Sequence, residues 1–294
     1  MRMQADVQNE GYAAGVAAAR CAKDKCTLAK VDMRALQKHL SAIGSVPVEV
    51  LGWQDTPPYS DDEICAAAKQ VGNGYRGVGI VLSDPKRAIP YLKEGYAEAK
   101  DEKSRLCLAH VLGILGDPTG ADALIAQLSK PGNERIIINT EKKRSFGRRM
   151  GEFDSQIVAL GRTGDPRAAG VLVKAIEALP VRGGFSTARA IELACERGAF
   201  PTLAPVLAAA LEKRGMSGYS RPVDKLIMPR GGFGTGGMEE YCLRELHLAR
   251  ALWNCGDCRA IARRILEAYA KDPRGIYARH ARAVLATEKA SKGE

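Results

Sequence analysis

The sequence predicts an all-α chain, an α-solenoid of stacked helical hairpins preceded by a short helical segment. Three observations predict it. Alanine and leucine are abundant and aromatic residues make up only 5% of the 294 residues. Ala and Leu cost least in a helix, whereas sheets favour aromatic and β-branched side chains. A turn sequence recurs, Leu112-Gly113-Ile114-Leu115-Gly116-Asp117-Pro118 matching Leu160-Gly161-Arg162-Thr163-Gly164-Asp165-Pro166. Beyond each proline the apolar spacing also agrees, Leu124, Ile125 and Leu128 corresponding to Leu172, Val173 and Ile176.

Each part of this motif has a physical role. Gly116 and Gly164 end a helix, because glycine tolerates the left-handed conformation of a C-terminal cap. Asp117 and Asp165 cap the next helix with a side-chain oxygen. Proline follows at the first helical position, where no backbone donor is needed. The second helix then carries one apolar face. A single hairpin cannot bury that face, so neighbours must stack. Looser copies run from Leu252 to Cys258, followed by Ile265, Leu266 and Tyr269, and from Asp84-Pro85, followed by Tyr91 and Leu92. A degenerate copy runs from Ala188 through Leu193 and Gly198 to Leu203 and Leu207. The pattern resembles HEAT repeats of the short form L-G-x-x-G-D-x-x-A-x-x-x-L-x-x-x-L, over roughly residues 62–288, and implies about four to six hairpins. The spacing is uneven. Pro131–Gly151 and the Gly/Pro-rich Gly215–Gly237 are expected to be long loops, and such loops often lie on one face of an array.

Residues 1–60 lie outside the repeats, and the repeat domain is expected over 61–290. Gly11–Ala22 reads as a helix of small residues. Asp32–Ile43 reads as a second, with Val31, Ala35, Leu36 and Leu40 on one side. Gln54–Ser60, with Pro57-Pro58, is expected to be a turn or linker. Asp61-Asp62-Glu63 then starts the first repeat helix, placing acids at the positive end of its dipole.

Within this segment Arg2-Met3-Gln4, Asp6-Val7-Gln8-Asn9, Gly11-Tyr12-Ala13-Ala14-Gly15 and Ala17-Ala18-Ala19 together resemble the closing segment of the flavin domain in a family of FAD-dependent oxidoreductases. Some members carry a helical repeat region after it. The resemblance implies a helix whose N-terminus, with free N–H groups, faces the flavin. It makes Asn9, Gly11, Tyr12 and Ala13 the flavin-contacting positions. It also implies that the chain is the C-terminal part of a longer flavoprotein, with Met1 internal or a truncated start. The family's GxGxxG fingerprint is absent. Gly231-Gly232-Phe233-Gly234-Thr235-Gly236-Gly237 has no βαβ unit around it and reads as a flexible loop. FAD is therefore expected only in the longer parent protein. The chain alone is expected to bind no cofactor and to catalyse no hydride transfer, its repeats acting as an interaction or structural module. A stand-alone HEAT scaffold for protein partners is the alternative, and a basic nucleic-acid-binding solenoid a further one.

No other residues form a catalytic set. Cys255-Gly256-Asp257-Cys258 is a CxxC that, with Cys242 and His247, offers four zinc ligands. Its cysteines occupy the turn position of a repeat, no second CxxC exists, and packing is the expected role, with no metal. Cys21 and Cys26 are likewise expected to be packing or partly exposed thiols. Of eight cysteines most lie in helical segments of a chain with core to spare, which favours reduced thiols over bridges. His39, His110, His247 and His280 are scattered, without Ser/His/Asp or Cys/His motif context.

The net charge of +10 favours anionic partners without choosing among them. Lys142, Lys143, Arg144, Arg148 and Arg149, around Phe146, form the sharpest basic run and are expected to be a solvated loop. Arg259, Arg263 and Arg264 add charge to a later helix. The expected partner is a protein on the repeat surface or an upstream flavin domain. The longest apolar stretch, Ala199–Leu211, is too short to span a membrane and holds two prolines.

Overall fold

The computed structural model describes residues 2–53, 59–133, 150–196, 200–221 and 236–291. Among these residues there are fourteen α-helices and no strand. The chain divides into two compact units, Met1–Pro58 and Tyr59–Glu294.

The first unit holds α1 (Arg2–Asp24) and α2 (Met33–Ala42). Asp32 caps α2, its side chain accepting from the Ala35 amide at 2.9 Å. Leu36 and Leu40 of α2 bury against Ala17 of α1, with Ala13, Val16, Val31 and Val46 packed around them. One boundary differs from expectation. The first helix begins at Arg2, not at Gly11. Arg2–Glu10 contains no glycine or proline to stop it, and one glycine inside a helix costs only about 1 kcal/mol relative to alanine. The linker residues 54–58 lie outside the described residues.

The second unit opens with α3 (Asp61–Val71), and Ser60 forms a reciprocal capping box with Glu63. There follow α4 (Val78–Ser83), α5 (Pro85–Glu98), α6 (Glu102–Leu115) and α7 (Ala121–Leu128). Next come α8 (Glu152–Arg162), α9 (Ala168–Glu177), α10 (Phe185–Cys195) and α11 (Ala204–Glu212). The last are α12 (Gly236–Asn254), α13 (Ile261–Ala270) and α14 (Gly275–Ser291). Helix α6 packs on α8, α8 on α10 and α10 on α12, while α7 meets α9 and α9 meets α11. Two layers result, each connected along its length. Between them lies a continuous apolar core that includes Leu92, Leu112, Leu124, Leu160, Leu172, Ile176, Ile191, Leu207 and Leu252.

The turns follow the expected chemistry in part. Asp84 caps α5 directly, with Pro85 at its first position. Asp117 and Asp165 instead close a short 3-10 segment or turn, and α7 and α9 begin only at Ala121 and Ala168, without a side-chain cap. Gly116 and Gly164 have φ of +87° and +71°. The Asp117 side chain accepts from the Thr119 amide, Asp165 from the Arg167 amide and Asp84 from the Arg87 amide. The turns are also tied across neighbouring helix pairs. Lys93 of α5 meets Asp117 at 2.7 Å, and Arg167 reaches both Asp165 and Asp122 of α7. Arg259 pairs with Glu212 of α11.

The first glycine of the motif has a different task from the second. A Cβ on Gly113 would lie 2.8 Å from the Ala159 carbonyl oxygen of α8. A Cβ on Gly161 would lie 2.3 Å from the Ala194 methyl of α10. These glycines let successive helices touch almost backbone to backbone. Residues 134–149 and 222–235, within the two expected long loops, and Gly198 of the degenerate copy lie outside the described residues.

Candidate functional site

The four positions implied by the flavin resemblance lie in α1. Asn9 and Gly11 are exposed and Ala13 is half-buried against the small core of the first unit. The exposed Tyr12 shares a 2.9 Å hydrogen bond with His39 Nε2 of α2, and the two rings stack. Because the helix starts at Arg2, all four positions sit inside it, and its N-terminal amides are two turns away. The expected helix N-terminus at Gly11 is therefore corrected.

The four zinc-ligand candidates are dispersed. Cys242 is buried, accepting from Arg274 Nη1 at 3.3 Å. His247 is bonded to Glu192. Cys255 is buried in the same apolar core that takes in Cys195 of α10, while Cys258 is half-buried. Among the described residues no group of three or more His, Cys, Asp or Glu is placed to hold a metal ion. Cys21 is buried near the end of α1 and Cys26 half-buried beyond it. The basic run 142–149 lies outside the described residues, as do Gly231–Thr235. Arg263 approaches Glu267 and lies over the Trp253 ring.

What sequence reasoning missed is a line of polar contacts between the stacked helices. The Tyr75 hydroxyl lies 2.9 Å from His110 Nδ1 of α6, and His110 Nε2 lies 2.9 Å from Ser155 Oγ of α8. Burial holds His110 below its ordinary pKa, so the ring is neutral at pH 7. Burial likewise pushes the Tyr75 hydroxyl up. One step along, Thr187 of α10 donates to Asp154 of α8 at 2.8 Å. Burial raises the Asp154 carboxyl, outweighing its hydrogen bonds from Ser186 and Thr187.

Further along, the buried Glu192 of α10 binds His247 and, at 2.6 Å, Arg250, both on α12. Burial acts to raise Glu192, but the His247 hydrogen bond and the Arg250 guanidinium beside it outweigh it and hold the carboxyl low. His280 of α14 stands edge-on to His247 with Nε2 buried and without a hydrogen-bond partner, and burial lowers its pKa.

Chemically, the Ser155–His110 pair meets the distance needed by a nucleophile and its base. Its third member is a phenol, where such pairs usually have a carboxylate to orient and stabilise the imidazolium. The arrangement joins three elements through one imidazole. These residues lie 35 and 45 positions apart, and neither residue type nor local spacing marks them out. No protein-family model, curated protein or solved structure matches the chain.

Proposed function

We propose that residues 61–290 form a HEAT-like repeat array that acts as a non-catalytic interaction or structural module. In this reading the array is the C-terminal portion of an FAD-dependent oxidoreductase, and residues 1–60 close its flavin domain. The observation that carries the array reading is the equivalence of the Gly-Asp-Pro turns. Each aspartate closes the turn that leads into a helix of the second layer, and each preceding Leu-Gly places its helix directly against the next. Such units can bury their apolar faces only by stacking. The flavin reading rests on the resemblance of Arg2–Ala19.

Among the described residues, the pairing of several cations favours a protein partner over nucleic acid. Lys93, Arg87, Arg167, Arg250, Arg259 and Arg274 are each engaged by a carboxylate. Cations so neutralised offer little to a phosphate backbone, whose binding depends on releasing counterions.

Two measurements test the reading. Flavin titration of the isolated chain is expected to show no stoichiometric binding, and tight binding would overturn the claim that the cofactor site is incomplete. The genomic reading frame is expected to continue upstream through a GxGxxG-coding region. A ribosome-binding signal directly before Met1 would instead favour the stand-alone scaffold.

A further inference from the structure

Among the described residues one serine hydroxyl is hydrogen-bonded to an imidazole, Ser155 Oγ of α8 to His110 Nε2 of α6 at 2.9 Å. The other ring nitrogen, Nδ1, is held 2.9 Å from the Tyr75 hydroxyl, and the phenol ring stands edge-on to the imidazole. Tyr75 is fixed by its backbone. A non-glycine residue keeps its φ of +66° only where the surroundings enforce it. The Tyr75 amide donates to the Val71 carbonyl at 2.9 Å. Two residues on, the chain runs so close to α3 that a Cβ on Gly77 would lie 2.6 Å from the Ala67 carbonyl oxygen. Ser155, His110 and Tyr75 are all half-buried, so solvent reaches the site. The neighbouring Asp154–Thr187 bond, by contrast, joins two buried residues. The start of α8 completes the arrangement. Helical side chains lean toward the N-terminus, so Ser155 Oγ lies over the turn that opens at Glu152. The amides of that turn have no partner within the helix, and Gly151 before it has no side chain to cap them. They turn the positive end of the helix dipole toward negative charge developing beside Ser155.

We propose that Ser155 takes up an acyl group from small activated esters, with His110 as its general base and Tyr75 as a positioning residue. The uptake of one acyl group goes beyond the reading of the array as a module and does not rest on it. In the reactive tautomer His110 Nδ1–H donates to the Tyr75 oxygen, and the Nε2 lone pair accepts from the Ser155 hydroxyl. Burial keeps the ring neutral and able to take that proton. Ser155 Oγ attacks the carbonyl carbon of the ester RCO–OR′ while its proton passes to His110 Nε2. A C–Oγ bond forms, and the carbonyl electron pair moves onto the oxyanion. As that pair returns, the C–OR′ bond breaks and the leaving oxygen takes the proton back from Nε2. The products are acyl-Ser155 and R′OH, and nothing is oxidised or reduced.

The test mixes the full chain with p-nitrophenyl acetate, follows release of p-nitrophenolate, and maps acetyl groups by peptide mass spectrometry. A serine alkoxide leaves less readily than p-nitrophenolate, so the acyl group is expected to accumulate. The expected result is a burst of about one equivalent per chain, with acetyl on Ser155. Ser155→Ala is expected to abolish the burst, and His110→Gln to slow it about a hundredfold or more. The burst rate is expected to fall as pH drops below about 6.5. Tyr75→Phe is expected to move that midpoint lower, because the imidazolium loses an acceptor. Wild-type chain whose acetyl groups map elsewhere and not to Ser155, or a burst that persists in Ser155→Ala, overturns the proposal. Sustained release that Ser155→Ala abolishes would support Ser155 and overturn only the non-catalytic reading of the array. The mapping on wild-type protein needs no variant to fold.

Discussion

At the residue scale the two kinds of glycine separate cleanly. Gly161→Ala forces a methyl to 2.3 Å from the Ala194 methyl and 2.5 Å from its Cα. Backbone cannot yield as a flexible side chain does, and such overpacking costs about 1–3 kcal/mol. Urea denaturation is expected to show that loss. Gly170 of α9, with open space where a Cβ would go, is the control. Gly170→Ala is expected to stabilise by about 0.4–1 kcal/mol through a stiffer unfolded chain. Equal effects at the two positions would refute the close-approach argument.

The buried histidines set a pH dependence on the same scale. His110 and His280 both have folded pKa values lowered by burial from an ordinary 6.5. Between the folded and ordinary values the unfolded chain binds more protons, so stability rises with pH. Their contribution is complete above about pH 7 and is lost as pH falls through about 6.5 towards the folded values. Glu192, held below its ordinary 4.5, adds a separate loss at lower pH. The double variant His110→Gln, His280→Gln is expected to flatten the stability profile between about pH 5 and 7. An unchanged slope in that window would count against neutral, buried imidazoles.

At the scale of elements, caps and loops hold the helices in place. Asp165→Ala removes the oxygen that accepts the Arg167 amide and is expected to cost about 0.5–2 kcal/mol, measurable by chemical denaturation. Arg244 of α12 works over a longer distance. Fully buried, it donates to the carbonyls of Pro180, Val181, Gly183 and Gly215. It ties the approach to α10 and the segment after α11 to one helix. Arg244→Ala leaves those acceptors without this donor and is expected to destabilise by roughly 3–5 kcal/mol, since bonds to charged groups contribute more than neutral ones.

Legibility in the sequence follows the range of the interaction. Gly116, Asp117, Gly164 and Asp165 act on residues two or three positions away, and their roles could be read directly. So could the start of α3 at Asp61, where the Ser60 and Glu63 side chains accept from each other's backbone amides. The start of α1 could not, because Arg2–Glu10 carries no local signal that favours Gly11 as a boundary. The Ser155–His110–Tyr75 chain was hidden for another reason: its partners become neighbours only once helices stack. Gly113 and Gly161 were visible as a repeated Leu-Gly, but the alanines they meet lie in the next helix and are not part of the motif.

At the scale of the molecule, the two units differ in how much they bury. The first has a core of Ala17, Leu36 and Leu40, and leaves Val7, Leu28, Met33, Ile43, Val48 and Trp53 exposed. So little buried surface does not offset the entropy of ordering some fifty residues. A fragment of residues 1–58 is expected to show no cooperative thermal transition by circular dichroism. A fragment of residues 59–294, which retains the continuous core, is expected to unfold in one. A cooperative transition in the shorter fragment would show that its small core suffices.

The glycine–alanine contacts carry one consequence for how such a molecule bends and how it drifts over generations. Where Gly113 meets Ala159 and Gly161 meets Ala194, the separation of neighbouring helices is fixed by atomic radii, not by rotamer choice. These points act as fulcrums. Substitutions elsewhere along the same helices tilt one helix about the contact without changing the spacing at it.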